Sequence, residues 1–184
     1  KIHSQVFIPE YSKLMKEAWL GPNVVLTNAK YPRSINVKNE LRGPVIGKKA
    51  KIGANVSIEA FTSIHADVEI GEGTHVMSGA TIFKGTRIGK NCRIFPGASI
   101  GAIPQDLKFD GEDSLAIIGD KTTIRECVTI NRGTSSNGET KIGNNCLIMA
   151  YSHIAHDCII GDYCILSNNS TLAGHIKIGN CVVL

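Results

Sequence analysis

The chain has 184 residues, 42% hydrophobic and 20% charged, which suits one domain with a substantial core or two small ones. Its net charge of +4 comes without any Lys/Arg block of five or more. That excludes a nucleic-acid signature and suits an anionic substrate or an acidic protein partner. No apolar run approaches the roughly 18 residues of a membrane span. Lys1 to Pro9 lacks the apolar stretch of a secretory signal, so a cytoplasmic location is expected.

Nineteen glycines accompany only 5% aromatics, so the core must be aliphatic, and the abundance of Ile and Val favours strands. The six cysteines (Cys92, Cys127, Cys146, Cys158, Cys164, Cys181) include no C-x-x-C. They read as small apolar fillers of a reduced protein, not as a zinc or disulfide framework.

Taken in chain order, the first element is a short ladder at every sixth residue: Ile2, Ile8, Leu14, Leu20, Leu26. Within it Ser12 to Ala18, SKLMKEA, lacks turn residues and predicts a short helix or a distorted coil. Thr27 to Pro44 is polar and proline-bearing, and predicts a loop extruded from the coil. A second ladder, two residues out of phase with the first, runs Ile46, Ile52, Ile58, Ile64, Ile70, Val76, Ile82, Ile88, Ile94, Ile100. It resumes at Ile118, Ile124 and Ile130, and again at Ile142, Ile148, Ile154, Ile160, Leu166, Leu172, Ile178 and Leu184.

An amphipathic helix repeats at 3.6 residues, so a period of six is no helix. It is the hexapeptide β-helix repeat, with one inward aliphatic per short strand and a turn after it. Small residues with Asn, Asp or Gly are expected to supply positive φ at the corners. Three strands make one coil of about 18 residues, stacked in parallel sheets.

Both gaps in the ladder preserve its phase, so Gly101 to Ile117 and Asn131 to Thr140 must loop out. The first holds Lys108 between Asp106 and Asp110. From the residues alone it is a solvated surface lysine or a group that neutralises a ligand phosphate or carboxylate. The second, rich in Gly, Ser and Asn, covers a site or is decoration.

The next anomaly is HIAHD, His153 to Asp157, around the inward Ile154. Strand alternation puts His156 inward, but the corner of the repeat lets it leave the interior. His175 follows His156 by 19 residues, so both fall on adjacent coils near one edge. Three readings stay open at this point: a zinc site shared between subunits, a general base oriented by Asp157, and inert surface histidines.

The stretches IGAIPQDLKF (from Ile100), IRECVTINRGT (from Ile124), HIAHDC (from His153) and NNSTLAGH (from Asn168) closely resemble the UDP-N-acetylglucosamine O-acyltransferases that open lipid A synthesis. The likeness covers roughly Val45 to Leu184. It implies an all-β, left-handed parallel β-helix. It implies a homotrimer that moves an (R)-3-hydroxyacyl chain from acyl carrier protein to the 3-hydroxyl of the UDP-sugar, with no cofactor and no metal. By the same likeness His156 is the general base, Asp157 orients it and the Gly174 N–H stabilises the oxyanion. Gln105, Asp106, Lys108, His153 and His175 then contact substrate. The family continues into further coils and a helical domain, whereas this chain stops at Leu184 inside the solenoid. Uncapped coil ends are strand edges, so end-to-end association is also expected.

Residues 1–44 resemble a different hexapeptide group. WLGPNVV (from Trp19) and NAKYPR (from Asn28) look like sugar-nucleotide N-acetyltransferases that use acetyl-CoA. The change of ladder phase falls at the same boundary. It divides the chain into an N-acetyltransferase-like 1–44 and an O-acyltransferase-like 45–184, a hybrid chain. An inactive or engineered solenoid scaffold and an acetyl-CoA-dependent amino-sugar N-acetyltransferase are the alternative expectations.

Overall fold

The computed structural model describes residues 1–29 and 33–184. It is a left-handed parallel β-helix of strands two to four residues long, arranged in three parallel sheets. Sheet one aligns Leu14, Ile46, Ile64, Ile82, Ile100, Ile130, Ile154 and Leu172 in register. Sheet two aligns Leu20, Ile52, Ile70, Ile88, Ile118, Ile142, Ile160 and Ile178. Sheet three aligns Leu26, Ile58, Val76, Ile94, Ile124, Ile148 and Leu166. The ladder is the core: Ile46, Ile52, Ile58, Ile94, Ile100, Ile124, Ile130, Ile148 and Ile154 are all fully buried. At the amino end the ladder thins, and Ile2 and Ile8 are 54% and 36% exposed.

A second inward column lies two residues before each ladder position. Alongside buried Ala and Val, it holds Thr62, Thr74, Thr122, Cys146, Ser152, Cys158 and Cys164, which are also buried. Each is polar or polarisable and donates to a carbonyl on the adjacent coil, for example Thr74 Oγ1 to Gly89 at 2.9 Å and Cys158 Sγ to Ala173 at 3.1 Å. The buried donors are thereby satisfied without a turn of helix. This column divides the cysteines. Cys92, Cys146, Cys158 and Cys164 are the expected fillers, but Cys127 and Cys181 are exposed. The latter two occupy the corner, at φ 56° and 58°.

The corner itself differs from expectation. The positive-φ residue comes three after the ladder residue, and takes not only Asn55, Asp67 and Gly73 but also Glu17, Phe61, Tyr151 and His175. Glycines directly after the ladder on sheet two serve another purpose. A Cβ on Gly143 would lie 2.5 Å from the Gly161 carbonyl oxygen, and one on Gly119 the same distance from the carbonyl carbon of Gly143. The coils touch backbone to backbone there, so the column must be glycine. Gly143→Ala is expected to destabilise the fold by about 3 kcal/mol. Gly179→Ala, which meets nothing within 4 Å, leaves the melting temperature unchanged or slightly raised. Thermal unfolding of the two variants checks the contrast.

The stretch Ser12 to Ala18 is neither helix nor distorted. Strands Lys13–Leu14 and Trp19–Leu20 flank an ordinary corner with Glu17 at φ 65°, because sheet pairing across the coils overrides local propensity. Among the described residues after Val25–Leu26, Val37–Asn39 forms a 3-10 turn, and the chain re-enters at Val45–Ile46. The loop absorbs the change of ladder phase, so both ladders share the same three sheets. Lys30, Tyr31 and Pro32 of the NAKYPR stretch lie outside the described residues.

Both later excursions are narrower than the breaks in the ladder. Strands Ser99–Ala102 and Leu115–Ile118 leave 103–114 as loop, and Thr129–Asn131 and Glu139–Ile142 leave 132–138. The bases of the two excursions pair with each other, Leu115 with Glu139 and Ala102 with Asn131. Both leave the helix at the corner between sheets one and two.

Candidate active site

That corner gathers the sequence anomalies. Going along the solenoid it presents loop 103–114, then loop 132–138, then His156 and Asp157, then Gly174 and His175. His156 follows its ladder residue Ile154 by two positions and Gly174 follows Leu172 by two, so they are equivalent on adjacent coils. Glycine there is what lets the imidazole fold over the next coil: a Cβ on Gly174 would lie 2.6 Å from His156 Cε1 and 2.7 Å from Nε2.

Asp157 is the centre of the arrangement. It sits at the positive-φ corner position, φ 60°, and its side chain is fully buried. Its Oδ1 accepts the backbone N–H of Thr134 at 3.0 Å and of Asn137 at 3.2 Å. Its Oδ2 accepts Thr134 Oγ1 at 2.6 Å and the His156 Nδ1–H at 2.8 Å. Burial opposes the charge of this carboxylate, but the Thr134 hydroxyl, His156 and the two backbone N–H groups outweigh it and hold its pKa below the ordinary value. An ionised carboxylate only accepts, so His156 donates from Nδ1, and it is the neutral form of the ring that offers a lone pair on Nε2. Nε2 faces Asp106 Oδ2 across 4.0 Å, on a side chain 15% exposed.

His175 stands edge-on to His156, ring centroids 5.0 Å apart, with its Nδ1 4.0 Å from Asp157 Oδ2. A polar cleft of about 250 Å³ opens beside it, lined by Asp106, Lys108, Glu112, Thr134 and Ser135 as well as His175. The loops that wall it are tied together: Glu112 accepts the Ser135 N–H at 3.0 Å and Asn131 Nδ2 donates to the Ile103 carbonyl at 3.0 Å. The structure therefore brings together His156, Asp157, Gly174, His175, Asp106 and Lys108. His153 stands apart on the strand, its ring 2.7 Å from Thr129 Oγ1, and burial pushes its pKa down. Gln105 is exposed on the first loop.

Sequence reasoning missed Thr134 and Asn137. Thr134 stands in the phase of the small buried column, the same phase as Thr140, whose Oγ1 accepts the Asp157 N–H at 2.8 Å. Asn137 carries no comparable signal. His156, Asp157 and His175 place one ligand atom each within 4.8 Å of one another, a set with the composition of a metal site. Both Asp157 oxygens are already committed to the four bonds above, which leaves that carboxylate a poor ligand.

Residues 43–84 and 139–174 match the bacterial transferase hexapeptide family, a model of six repeats. The acyl-[acyl-carrier-protein]–UDP-N-acetylglucosamine O-acyltransferase of Aliarcobacter butzleri is 59% identical over 141 residues, 76% of this chain and 54% of that protein. Its counterpart from Campylobacter concisus is 47% identical over 150 residues, 80% of this chain and 57% of that protein. Among solved structures, the Arabidopsis UDP-N-acetylglucosamine acyltransferase superposes with a TM-score of 0.83 at 31% identity, over 96% of this chain and 58% of that one. The chain spans about half the length of these curated relatives. It belongs to the hexapeptide-repeat transferases and, within them, groups with the UDP-N-acetylglucosamine O-acyltransferases.

Proposed function

We propose that this chain is the catalytic β-helix of an O-acyltransferase that moves an (R)-3-hydroxyacyl group from acyl carrier protein to the 3-hydroxyl of UDP-N-acetylglucosamine, the first step of lipid A synthesis. The observation that carries the reading is the Asp157–His156 pair, in which Nδ1 is bound to the buried carboxylate and Nε2 is directed toward Asp106, a wall residue of the polar cleft. A sugar hydroxyl is a poor nucleophile at neutral pH and needs such a base.

In the proposed reaction His156 Nε2 takes the 3-hydroxyl proton as the sugar oxygen attacks the thioester carbonyl carbon. The new C–O bond leaves negative charge on the carbonyl oxygen. Among the described residues the Gly174 N–H donates to no backbone acceptor, which frees it for that charge. Collapse breaks the C–S bond, and the thiolate of the carrier's prosthetic arm recovers the proton from His156. Asp106, Lys108, Gln105, His153 and His175 hold the substrate, Lys108 as the cation opposite its phosphates.

The working form is proposed to be a cytoplasmic homotrimer. Residues 1–44 enter as N-acetyltransferase-like coils joined to the O-acyltransferase-like body, 45–184. No helix among the described residues is long and apolar enough to cross a membrane.

The test is transfer of a radiolabelled 3-hydroxyacyl group from its carrier protein to UDP-N-acetylglucosamine by the chain itself. Formation of the 3-O-acyl product supports the reading, and none at micromolar enzyme refutes it. Gly174→Ala is expected to cost about 100-fold in kcat, because its Cβ displaces the imidazole by roughly an ångström. Its melting temperature stays near that of the parent, which separates displacement of the base from unfolding.

A further inference from the structure

A second cleft lies on the same corner, on the far side of loop 103–114 from His156. It has a volume of about 690 Å³ and is lined by Lys48, Lys49, Lys84 and Arg132, with Asp67 and Asp113 among its other residues. That size is in the range of small-molecule sites. Its origin is the repeat. Lys48, Ala66 and Lys84 hold the same place on successive coils, 18 residues apart. Adjacent coils are about 4.8 Å apart, so the two lysine stems emerge about 10 Å apart with a methyl group between them. Gly85 and Gly138, at φ 80° and 75°, add no side chain to the wall.

The charges in this cleft are unbalanced. The Asp67 carboxylate is held by Arg87 through bonds of 3.1 and 3.2 Å. Asp113 meets Lys84 at 2.8 Å, but its side chain is 91% exposed, and an exposed pair of this kind yields readily to a competing anion. Among the described residues Lys48 and Lys49 make no ion pair. Arg132 lies over the Phe109 ring at 5.2 Å, and its Nε is buried with no hydrogen-bond partner. The Arg132 charge also acts on the Glu112 and Asp113 carboxylates, which leaves Lys48 and Lys49 as the uncommitted cations of the cleft and favours an anionic ligand there. Four cationic side chains spread along the cleft offer more positive charge than one phosphate neutralises.

We propose that the Lys48–Lys49–Lys84–Arg132 cleft binds the diphosphate or longer oligophosphate group of a small molecule, at a site separate from the His156 cleft. The proposal does not depend on the transferase reading, since its readout is binding. The test is isothermal titration of inorganic tripolyphosphate into the full chain, with sodium sulfate, a single tetrahedral dianion, as the control. Saturable binding is expected, unchanged in His156→Ala and at least tenfold weaker in the double variant Lys48→Glu/Lys84→Glu. Both lysines are exposed, so the fold tolerates the change, and Lys48→Ala/Lys84→Ala provides the same comparison without charge reversal. The idea is overturned by no binding, by equal affinity for sulfate, by equal affinity in both lysine variants, or by loss of binding in His156→Ala.

Discussion

Replacing His156 with alanine is expected to lower kcat for acyl transfer by 10²–10⁴-fold, roughly the contribution of a positioned general base. The substitution removes the imidazole whose Nδ1 is bound to a buried carboxylate and whose other nitrogen faces Asp106. It should leave the fold intact. His156 sits at a corner, outside both inward columns, and the β-helix is held by the aliphatic ladder and by backbone pairing. Losing the His156 bond leaves Asp157 with its three other donors. The KM for the UDP-sugar should change little, since the base acts on a proton in the transition state more than on the bound ground state. Steady-state kinetics with a melting curve decide it. A variant that folds and retains more than a tenth of the parent kcat would remove His156 from the mechanism.

Much of this was readable from a single residue class. The aliphatic ladder sets the coil length, and because the strands after residue 45 keep one phase, a histidine-bearing edge could be placed by arithmetic alone. The spacing of 19 between His156 and His175 put them on adjacent coils, and their rings do meet edge to edge. What the ladder did not disclose was the reason for each glycine. Those after the ladder on sheet two and those at the corners look alike in sequence. The first group is forced by contact between backbones and the second by φ, and only stacked coils distinguish the two.

Ser12 to Ala18 misled for a related reason. Its residues favour helix locally, but pairing of Leu14 with Ile46 and Leu20 with Ile52 is a long-range reward that no local pattern shows. The same limit hid the anchoring of Asp157. Its partners come from Thr134 and Asn137, 23 and 20 residues earlier, on a loop whose path has no repeat to constrain it.

The other large effect is expected at Asp157. Asp157→Ala strips the acceptor from four donors at once: two backbone N–H groups, the Thr134 hydroxyl and the His156 Nδ1–H. Buried donors left without partners make the loss about 3 kcal/mol, or roughly 6–12 °C in melting temperature for a chain of this size. Loop 132–138 loses its anchor and His156 loses its tautomer, so kcat should fall at least 100-fold as well. Asp157→Asn separates the two roles. A carboxamide keeps the shape and one acceptor oxygen, so much of the stability returns. Its NH2 cannot accept from Nδ1–H, so activity stays low. The pH dependence gives an independent check with a definite sign. Because the folded carboxyl titrates below its ordinary value near 3.9, its contribution is fully present above that pH and is lost as pH falls through the lower folded value. The parent should therefore lose stability more steeply than Asp157→Asn as the pH is lowered from about 5 toward 2. Parallel acid-unfolding curves for the two proteins would show that the buried carboxylate is not what the loop and the histidine are built around.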